Sequence, residues 1–245
     1  EIEPFAPEDV EAAIQVFKAE NVEAIAVALI NSFLNPVHEQ ACDKLIRDLW
    51  DGDPDLISLS NEIMPIMGEY ERTSTTVVNA YLAPRVVPYL KELNARLAVQ
   101  GLERPFLLVQ SNGGMTSVER LSSRPVNLLL SGPAAGVGAL NAYRVASATD
   151  DLISMEIGGT SCDVMLMGRG AVSVHDELMV AEHHVASPSV DIHTIGAGGG
   201  TISGVDDGGM LFVGPRGAGA VPGPASYGFG GTEPTVTDAQ LVLGR

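Results

Sequence analysis

Apolar positions in the first 65 residues alternate between helical and strand-like spacing. Four apolar side chains between positions 10 and 17 recur at the spacing of one helix face. Residues 24–30, AIAVALI, are continuously apolar, which is typical of a strand buried on both faces of a parallel sheet. A second helix is predicted over residues 35–50, and LISLS at 56–60 is predicted to be another strand. This alternation predicts the α/β fold class.

The middle of the chain is predicted to hold a long helix followed by two more strands. The helical pattern over residues 69–100 contains Pro84 and Pro88, which we expect to bend or divide the helix, and Gly101 is expected to end it. The run RPFLLVQ then predicts a strand, and the following Asn-Gly-Gly requires a tight turn with positive φ. Residues 124–147 predict a strand, a glycine turn and a helix.

From residue 151 onwards the chain is predicted to form an antiparallel meander. Three apolar runs, DLISMEI, CDVMLMG and AVSVHDELMV, are separated by the short turns GGTS and GRG. Several glycine-rich stretches follow, and the first of them, GAGGGT, comes directly after the strand-like IHTI. Glycine at these places indicates that the backbone lies close to another group.

The turn of the first hairpin joins bare backbone to two carboxylates. Its candidate ligand-binding residues are Gly158, Gly159, Thr160 and Ser161. Their N–H and hydroxyl groups are able to surround a phosphate oxygen. Glu156 before the turn and Asp163 after it are candidate catalytic residues and Mg²⁺ ligands, because carboxylates hold this cation directly or through its water. The residues alone leave two interpretations open: an ordinary glycine hairpin, and a loop that binds phosphate.

Two further glycine segments are candidates for ligand binding, and the one at residues 132–136 is the weaker of the two. The small residues from Gly132 to Gly136 precede a predicted helix, and a helix N-terminus is an anion site; close packing of that helix is the alternative. The glycines Gly198, Gly199 and Gly200 predict close backbone approach to a nucleotide or a substrate.

Histidine and aspartate near this second segment suggest a metal site. Asp191 and His193 are candidate ligands, and His183 and His184 precede them. Histidines that are merely hydrogen-bonded or exposed are the alternative, and the sequence does not exclude it.

Composition narrows the possible partners. The 245 residues carry a formal net charge of −17, so neither a nucleic-acid nor an anionic-membrane partner is expected. Two cysteines, Cys42 and Cys162, do not make a disulfide framework, and Cys42 is expected to be a small buried residue. We find no signal peptide and no apolar run long enough to span a bilayer, and a cytoplasmic location is expected.

Taken together, seven segments resemble the hydantoinase A/5-oxoprolinase family, which includes the acetone carboxylase β-subunit. They are EYERTSTTVVNAYLAP, QSNGGMTS, PVNLLLSGPAAGVGA, MEIGGTSCDVMLMGRG, SVDIHTIGAGGGTISGVDDGGMLFVGP, GAGAVPGPASYG and PTVTDAQLVLGR. The earlier AIAVALINSFLNPVHEQ is similar to the end of that family's N-terminal domain. The resemblance implies a boundary between residues 1–68, the C-terminal part of that domain, and residues 69–245, the N-terminal portion of the hydantoinase A domain.

The resemblance implies an actin-like ATPase fold of the ribonuclease-H type, in a fragment of a larger two-lobed protein. It also implies ATP and Mg²⁺, or another divalent metal, as cofactors. Members hydrolyse a cyclic amide such as hydantoin or 5-oxoproline, and the amide carbonyl oxygen is thought to be phosphorylated first. Two alternatives remain: an ATP-binding subunit of an acetone-type ketone carboxylase, and an actin-like nucleotide-binding module without amide chemistry.

Several features depart from the family pattern. Glu156 stands where the family's Asp-x-Gly-Gly-Thr segment has aspartate, and Ser226 replaces the cysteine of Pro-Ala-Cys-Tyr-Gly. The family's first phosphate motif is absent, so we expect this stretch of chain alone to be inactive. A hydantoinase B-type subunit or domain is the expected partner.

Overall fold

The structure, a computed structural model, describes residues 4–245. Its helices are α1 (Pro7–Ala19), α2 (Val37–Leu49), α3 (Ser60–Ile63), α4 (Glu69–Val99), α5 (Val118–Ser123), α6 (Ser131–Ala134), α7 (Gly136–Ser147) and α8 (Val236–Val242). Its strands are β1 (Ile25–Val27), β2 (Ile57–Leu59), β3 (Leu107–Val109), β4 (Met115–Ser117), β5 (Leu152–Ile157), β6 (Cys162–Gly168), β7 (Ala171–Val172), β8 (Val174–His175), β9 (Leu178–Val180), β10 (His183–Val185), β11 (Ser189–Val190), β12 (Ile192–Ile195), β13 (Thr201–Val205) and β14 (Leu211–Gly217). Short 3-10 turns lie at Pro54–Leu56, Pro125–Leu128 and Ala225–Tyr227.

The chain forms two compact units. The first unit combines the residues up to Ala134 with Val174–Val190, and the second combines Ala135–Ser173 with Asp191–Arg245. None of the helices within residues 4–245 is long and apolar enough to cross a membrane.

The first unit is built on a short parallel sheet. Strand β1 pairs in parallel with β2, and α1 and α2 pack against it. Its main core consists of Ile14, Ile25, Val27, Cys42, Ile46, Trp50 and Leu59. The prediction that Cys42 is a buried residue is confirmed. Burial raises the pKa of its thiol, as does the nearby Glu39 carboxylate.

Strand β1 is shorter than predicted, and the prediction that both of its faces are buried was wrong. Ala26 is exposed between buried Ile25 and Val27. The strand ends early because side chains take over the main-chain bonds of Leu29. Its N–H donates to Glu39 Oε1 over 2.8 Å, and its carbonyl accepts from Arg72 Nη2 over 2.8 Å.

Helix α4 continues through both prolines, so the predicted division was wrong. Pro84 is half-buried and Pro88 is exposed, and the helix is continuous from Glu69 to Val99 around both. The helix ends at Val99, and Gly101 follows with a φ of 92°, as predicted.

The strand predicted after residue 124 is instead a 3-10 turn, Pro125–Leu128. Two distant groups hold its backbone. The Val126 N–H donates to Asn79 Oδ1 over 3.1 Å, and the Asn127 carbonyl accepts from the Ser111 N–H over 2.8 Å. Strand β3 and the tight turn after it are as predicted, with a φ of 78° at Gly113, and the turn leads into β4, which was not predicted and pairs with β3.

The second unit contains the predicted meander. Its sheet has the antiparallel order β12-β6-β5, and β7 adds to β6. The third run, AVSVHDELMV, is not one strand: it divides into β7, β8 and β9, and β8 pairs with β11 within the first unit. Strands β13 and β14 form a hairpin, and α8 begins at a capping box formed by Thr235 and Asp238.

Candidate functional site

The hairpin between β5 and β6 presents three main-chain donors without partners. Ile157 pairs with Cys162, and the Gly158 N–H closes the turn by donating to the Ser161 carbonyl over 2.9 Å. Within residues 4–245, the N–H groups of Gly159, Thr160 and Ser161 donate to no protein atom. Consecutive unpaired N–H groups at an open turn form a binding place for an anion.

The glycines of this turn are not explained by the protein around them. Neither Gly158 nor Gly159 has a positive φ. A Cβ on Gly159 would meet no described atom within 4 Å, and one on Gly158 would only touch the Ser161 carbonyl at 3.7 Å. Backbone strain and packing within residues 4–245 therefore leave room for side chains here, which favours a turn that a ligand approaches closely.

The glycines at positions 198–200 hold the hairpin in place. Gly199 donates its N–H to the Gly158 carbonyl over 2.8 Å, and Gly200 donates to the Gly159 carbonyl over 2.7 Å. A Cβ on Gly198 would lie 2.7 Å from the Gly158 carbonyl oxygen. The close approach predicted for this segment is thus to the hairpin backbone. Contact with a nucleotide stays a prediction.

The two candidate carboxylates lie on one face of the sheet. Glu156 and Asp163 are directly paired across β5 and β6, and Thr194 of β12 is paired with Asp163. The Thr194 hydroxyl donates to Asp163 Oδ1 over 2.7 Å. The three side chains form a row beside the hairpin, which orients Asp163 and leaves its second oxygen available.

Glu156 occupies a slot that a glycine makes possible. Its Oε1 atom is buried and has no hydrogen-bond partner. A Cβ on Gly136 would lie 1.7 Å from this oxygen and 2.4 Å from the methyl group of Met165. The first residue of α7 therefore faces the Glu156 carboxylate, so packing against protein accounts for this glycine. Gly132 lies in α6 of the first unit, where a Cβ would meet nothing within 4 Å.

The other predicted metal ligands are not brought to these carboxylates. His193 pairs with Val164, and because side chains alternate along a strand it lies on the opposite face from Asp163. Asp191 precedes β12, and its N–H donates to the Ser173 carbonyl over 2.9 Å. Across residues 4–245, no three His, Cys, Asp or Glu side chains are grouped to hold a metal ion. A metal role for Asp191 and His193 stays a prediction.

The hairpin and its carboxylates do fit a magnesium nucleotide. Carboxylate oxygens are the ligands that Mg²⁺ prefers, and this cation keeps several waters, so two protein ligands are enough. The three unused N–H groups and the second oxygen of Asp163 are groups that such a ligand would satisfy, whereas Glu156 Oε1 is enclosed beside Gly136.

Sequence reasoning missed Thr194, and it placed Asp238 at the start of the last helix without its hydrogen bonds. Strand alternation would have placed Thr194 opposite Asp163 had the pairing of β12 with β6 been known. Partial burial alone would raise the pKa of Asp238, but hydrogen bonds from Ser226 and Thr235 hold that pKa well below its usual range. Asp238 thus ties the Ala225–Tyr227 turn to the start of α8.

Comparison with known proteins identifies the family of the chain. The Hydantoinase/oxoprolinase family model matches residues 72–245, and the Hydantoinase/oxoprolinase N-terminal region model matches residues 1–50. All 245 residues of the chain align with the caprolactamase subunit alpha of Pseudomonas jessenii, at 40% identity. The chain is also 35% identical to the 5-oxoprolinase of Saccharomyces cerevisiae. That alignment covers 96% of this chain and 18% of the 5-oxoprolinase.

Two solved structures share the fold. The crystal structure of the ATP-dependent caprolactamase from Pseudomonas jessenii superposes on the whole chain with a TM-score of 0.80 at 40% identity. The nucleotide-free structure of acetone carboxylase superposes on 98% of this chain with a TM-score of 0.78 at 23% identity. The superposed part is 34% of the acetone carboxylase chain. The predicted α/β fold of the actin-like ATPase type is confirmed.

The chain spans 35% of the length of the caprolactamase subunit alpha. The family models together match most of its residues, and the departures at Glu156 and Ser226 lie within the matched part. The protein therefore belongs to the hydantoinase/oxoprolinase family.

Proposed function

We propose that the whole protein uses ATP to hydrolyse a cyclic amide. The observation that carries this proposal is the set of three unused N–H donors at residues 159–161, next to two carboxylates on one sheet face. Relatives named for ATP-dependent caprolactamase and 5-oxoprolinase activity support the choice of reaction.

The chemistry suits such a site. An amide carbonyl carbon is a poor electrophile, and transfer of the γ-phosphoryl group of ATP to the amide oxygen makes that oxygen a good leaving group. Water then attacks the carbon and the ring C–N bond breaks, which gives a free amine and an acyl phosphate. A second water cleaves the acyl phosphate and releases phosphate. ATP, the cyclic amide and two waters thus give ADP, phosphate and the open-chain amino acid.

The roles of the chain's own residues follow from their positions. The N–H groups of Gly159, Thr160 and Ser161 bind phosphate oxygens, and the last two also offer hydroxyls. Glu156 and Asp163 hold Mg²⁺, which when bound neutralises charge on the phosphates. Positioning and charge neutralisation are the main contributions that a protein makes to phosphoryl transfer.

The remaining organisation is part of the same proposal. We place a boundary between residues 1–68 and 69–245. The relatives' subunit names favour a multi-subunit enzyme, and we propose a hydantoinase B-type partner and a cytoplasmic location.

The proposal is tested with the complete polypeptide and its partner. Phosphate release and ring opening are measured with ATP, Mg²⁺ and, in turn, hydantoin, 5-oxoproline, caprolactam and acetone plus bicarbonate. Phosphate release that depends on a cyclic amide, in step with ring opening, supports the proposal. Turnover with acetone and bicarbonate alone would identify a ketone carboxylase, as the acetone carboxylase fold allows. ATP hydrolysis indifferent to every substrate would identify a nucleotide-driven module.

A further inference from the structure

A recess beside the start of α4 carries chemistry that the hairpin does not use. It has a volume of about 220 Å³ and is lined by Tyr70, Thr73, Ser74, Val77, Val78 and His183, all within the first unit. We call it the α4 recess.

Ser74 departs from the behaviour of its neighbours. Helical serine and threonine hydroxyls usually donate to the carbonyl four residues earlier. Thr75 and Thr76 do so, to Glu71 over 2.6 Å and to Arg72 over 2.7 Å. The Ser74 hydroxyl oxygen is buried and has no hydrogen-bond partner among residues 4–245. Because a buried hydroxyl without a partner is unfavourable, its presence beside a cavity points to a ligand that supplies the missing hydrogen bond.

The walls of the α4 recess suit a neutral ring. Val77 and Val78 give it an apolar side, and the aromatic ring of Tyr70 gives it another. The Tyr70 ring is itself placed by an edge contact with His184 at 6.1 Å, and His184 Nδ1 lies 3.5 Å from Glu177. No lysine or arginine of residues 4–245 lines the recess. An anionic ligand would therefore lack a permanent counter-charge here, in a protein whose net charge is −17.

We propose that the α4 recess binds the cyclic amide substrate, and that it selects neutral lactams or imides over 5-oxoproline, which carries a carboxylate. Rotation of Ser74 about χ1 turns its hydroxyl to the amide group, to which a hydroxyl is able both to donate and to accept. The ring lies against the two valines and Tyr70. This inference rests on the proposed function, whose substrate class it narrows.

The first test is Ser74→Ala in the complete polypeptide with its partner. Removing an unpaired buried hydroxyl should leave the melting temperature unchanged or raise it, whereas loss of a substrate contact should raise the KM for caprolactam or hydantoin about tenfold. The affinity for ATP should not change. The matched control is Ser147→Ala, which removes a helical serine bonded to the Tyr143 carbonyl and outside the recess.

A second variant fills the recess from its exposed rim. Thr73→Trp changes an exposed helical position and so should leave the fold intact while blocking the cyclic amide. Unchanged KM in both variants, or 5-oxoproline as the best substrate of the wild-type enzyme, would overturn the inference.

Direct binding separates this inference from the proposed function. Caprolactam binding to the wild-type protein, followed by saturation-transfer NMR, should be lost in Thr73→Trp. If caprolactam binds in this way but ATP does not bind, the proposed function fails and the recess stands. If ATP binds and caprolactam does not, or if Thr73→Trp still binds it, the recess assignment fails.

Discussion

Substituting Gly159 by valine tests whether the hairpin binds phosphate. The position tolerates a side chain, since its φ is not positive and a Cβ would meet no described atom within 4 Å. An exposed substitution of this kind changes the free energy of unfolding by about 0.5 kcal/mol or less. The branched side chain would instead occupy the space in front of the three unused N–H groups.

The expected loss of affinity is large. A hydrogen bond to a charged group contributes roughly 1.5–3 kcal/mol, so losing one phosphate contact raises the Kd for ATP roughly 10- to 150-fold. Fluorescent-nucleotide titration of the complete polypeptide measures this, and thermal unfolding checks the fold.

Gly168→Val is the matched control. Gly168 lies at the end of β6, also lacks a positive φ, and a Cβ there would likewise meet nothing within 4 Å. It should bind ATP as the wild type does. If Gly159→Val keeps its affinity within a factor of about three, the phosphate assignment of the hairpin is wrong.

Three further outcomes are expected. Gly136→Ala should destabilise the protein by about 1–3 kcal/mol in a denaturant titration, because its Cβ would overlap the Glu156 carboxylate. Adding Glu156→Ala should recover much of that loss. Additive effects of the two substitutions would contradict the contact between Gly136 and Glu156. Thr194→Val should weaken Mg²⁺-dependent ATP binding about threefold to tenfold, because the Thr194 hydroxyl orients Asp163. Thr194→Ser keeps the hydroxyl and should bind as the wild type does. Equal affinities for Mg²⁺-ATP in all three proteins would show that Thr194 does not orient a metal ligand. Asp238→Asn should be less stable than wild type at neutral pH, and the difference in stability should close as the pH falls below about 4. A carboxylate whose pKa is lowered by folding stabilises the folded state fully only where the same aspartate is ionised in the unfolded chain. A difference in stability that does not depend on pH would refute the hydrogen-bonded carboxylate.

Local patterns predicted the elements whose partners are close in the chain. The β5–β6 hairpin follows from period-two alternation on either side of a glycine turn, and its pairing needs no distant residue. Helix α1 follows from one apolar face, and the end of α4 follows from Gly101.

Elements governed by distant side chains were not predictable in this way. The turn at residues 125–128 depends on Asn79, which lies 47 positions earlier in the chain. The early end of β1 depends on Glu39 and Arg72, which take both main-chain groups of Leu29. A pattern of apolar residues contains no information about such bonds.

The same distinction applies to the candidate site. The sequence indicated that glycines 158–159 and 198–200 marked close approach, but it did not show what approached what. The structure separates them: the second group lies against the backbone of the first, whereas a side chain at Gly159 would meet no described atom within 4 Å. The row formed by Glu156, Asp163 and Thr194 required the register of three strands.

The main-chain bonds from Gly199 and Gly200 have a consequence for deuterium exchange. Both amides are engaged with or without a nucleotide, so they should exchange slowly in either condition. The amides of residues 159–161 are free to exchange with solvent until a phosphate covers them. ATP should therefore slow deuterium uptake over three consecutive residues and leave the neighbouring glycine segment unchanged, a local signature that global stabilisation of the protein would not produce.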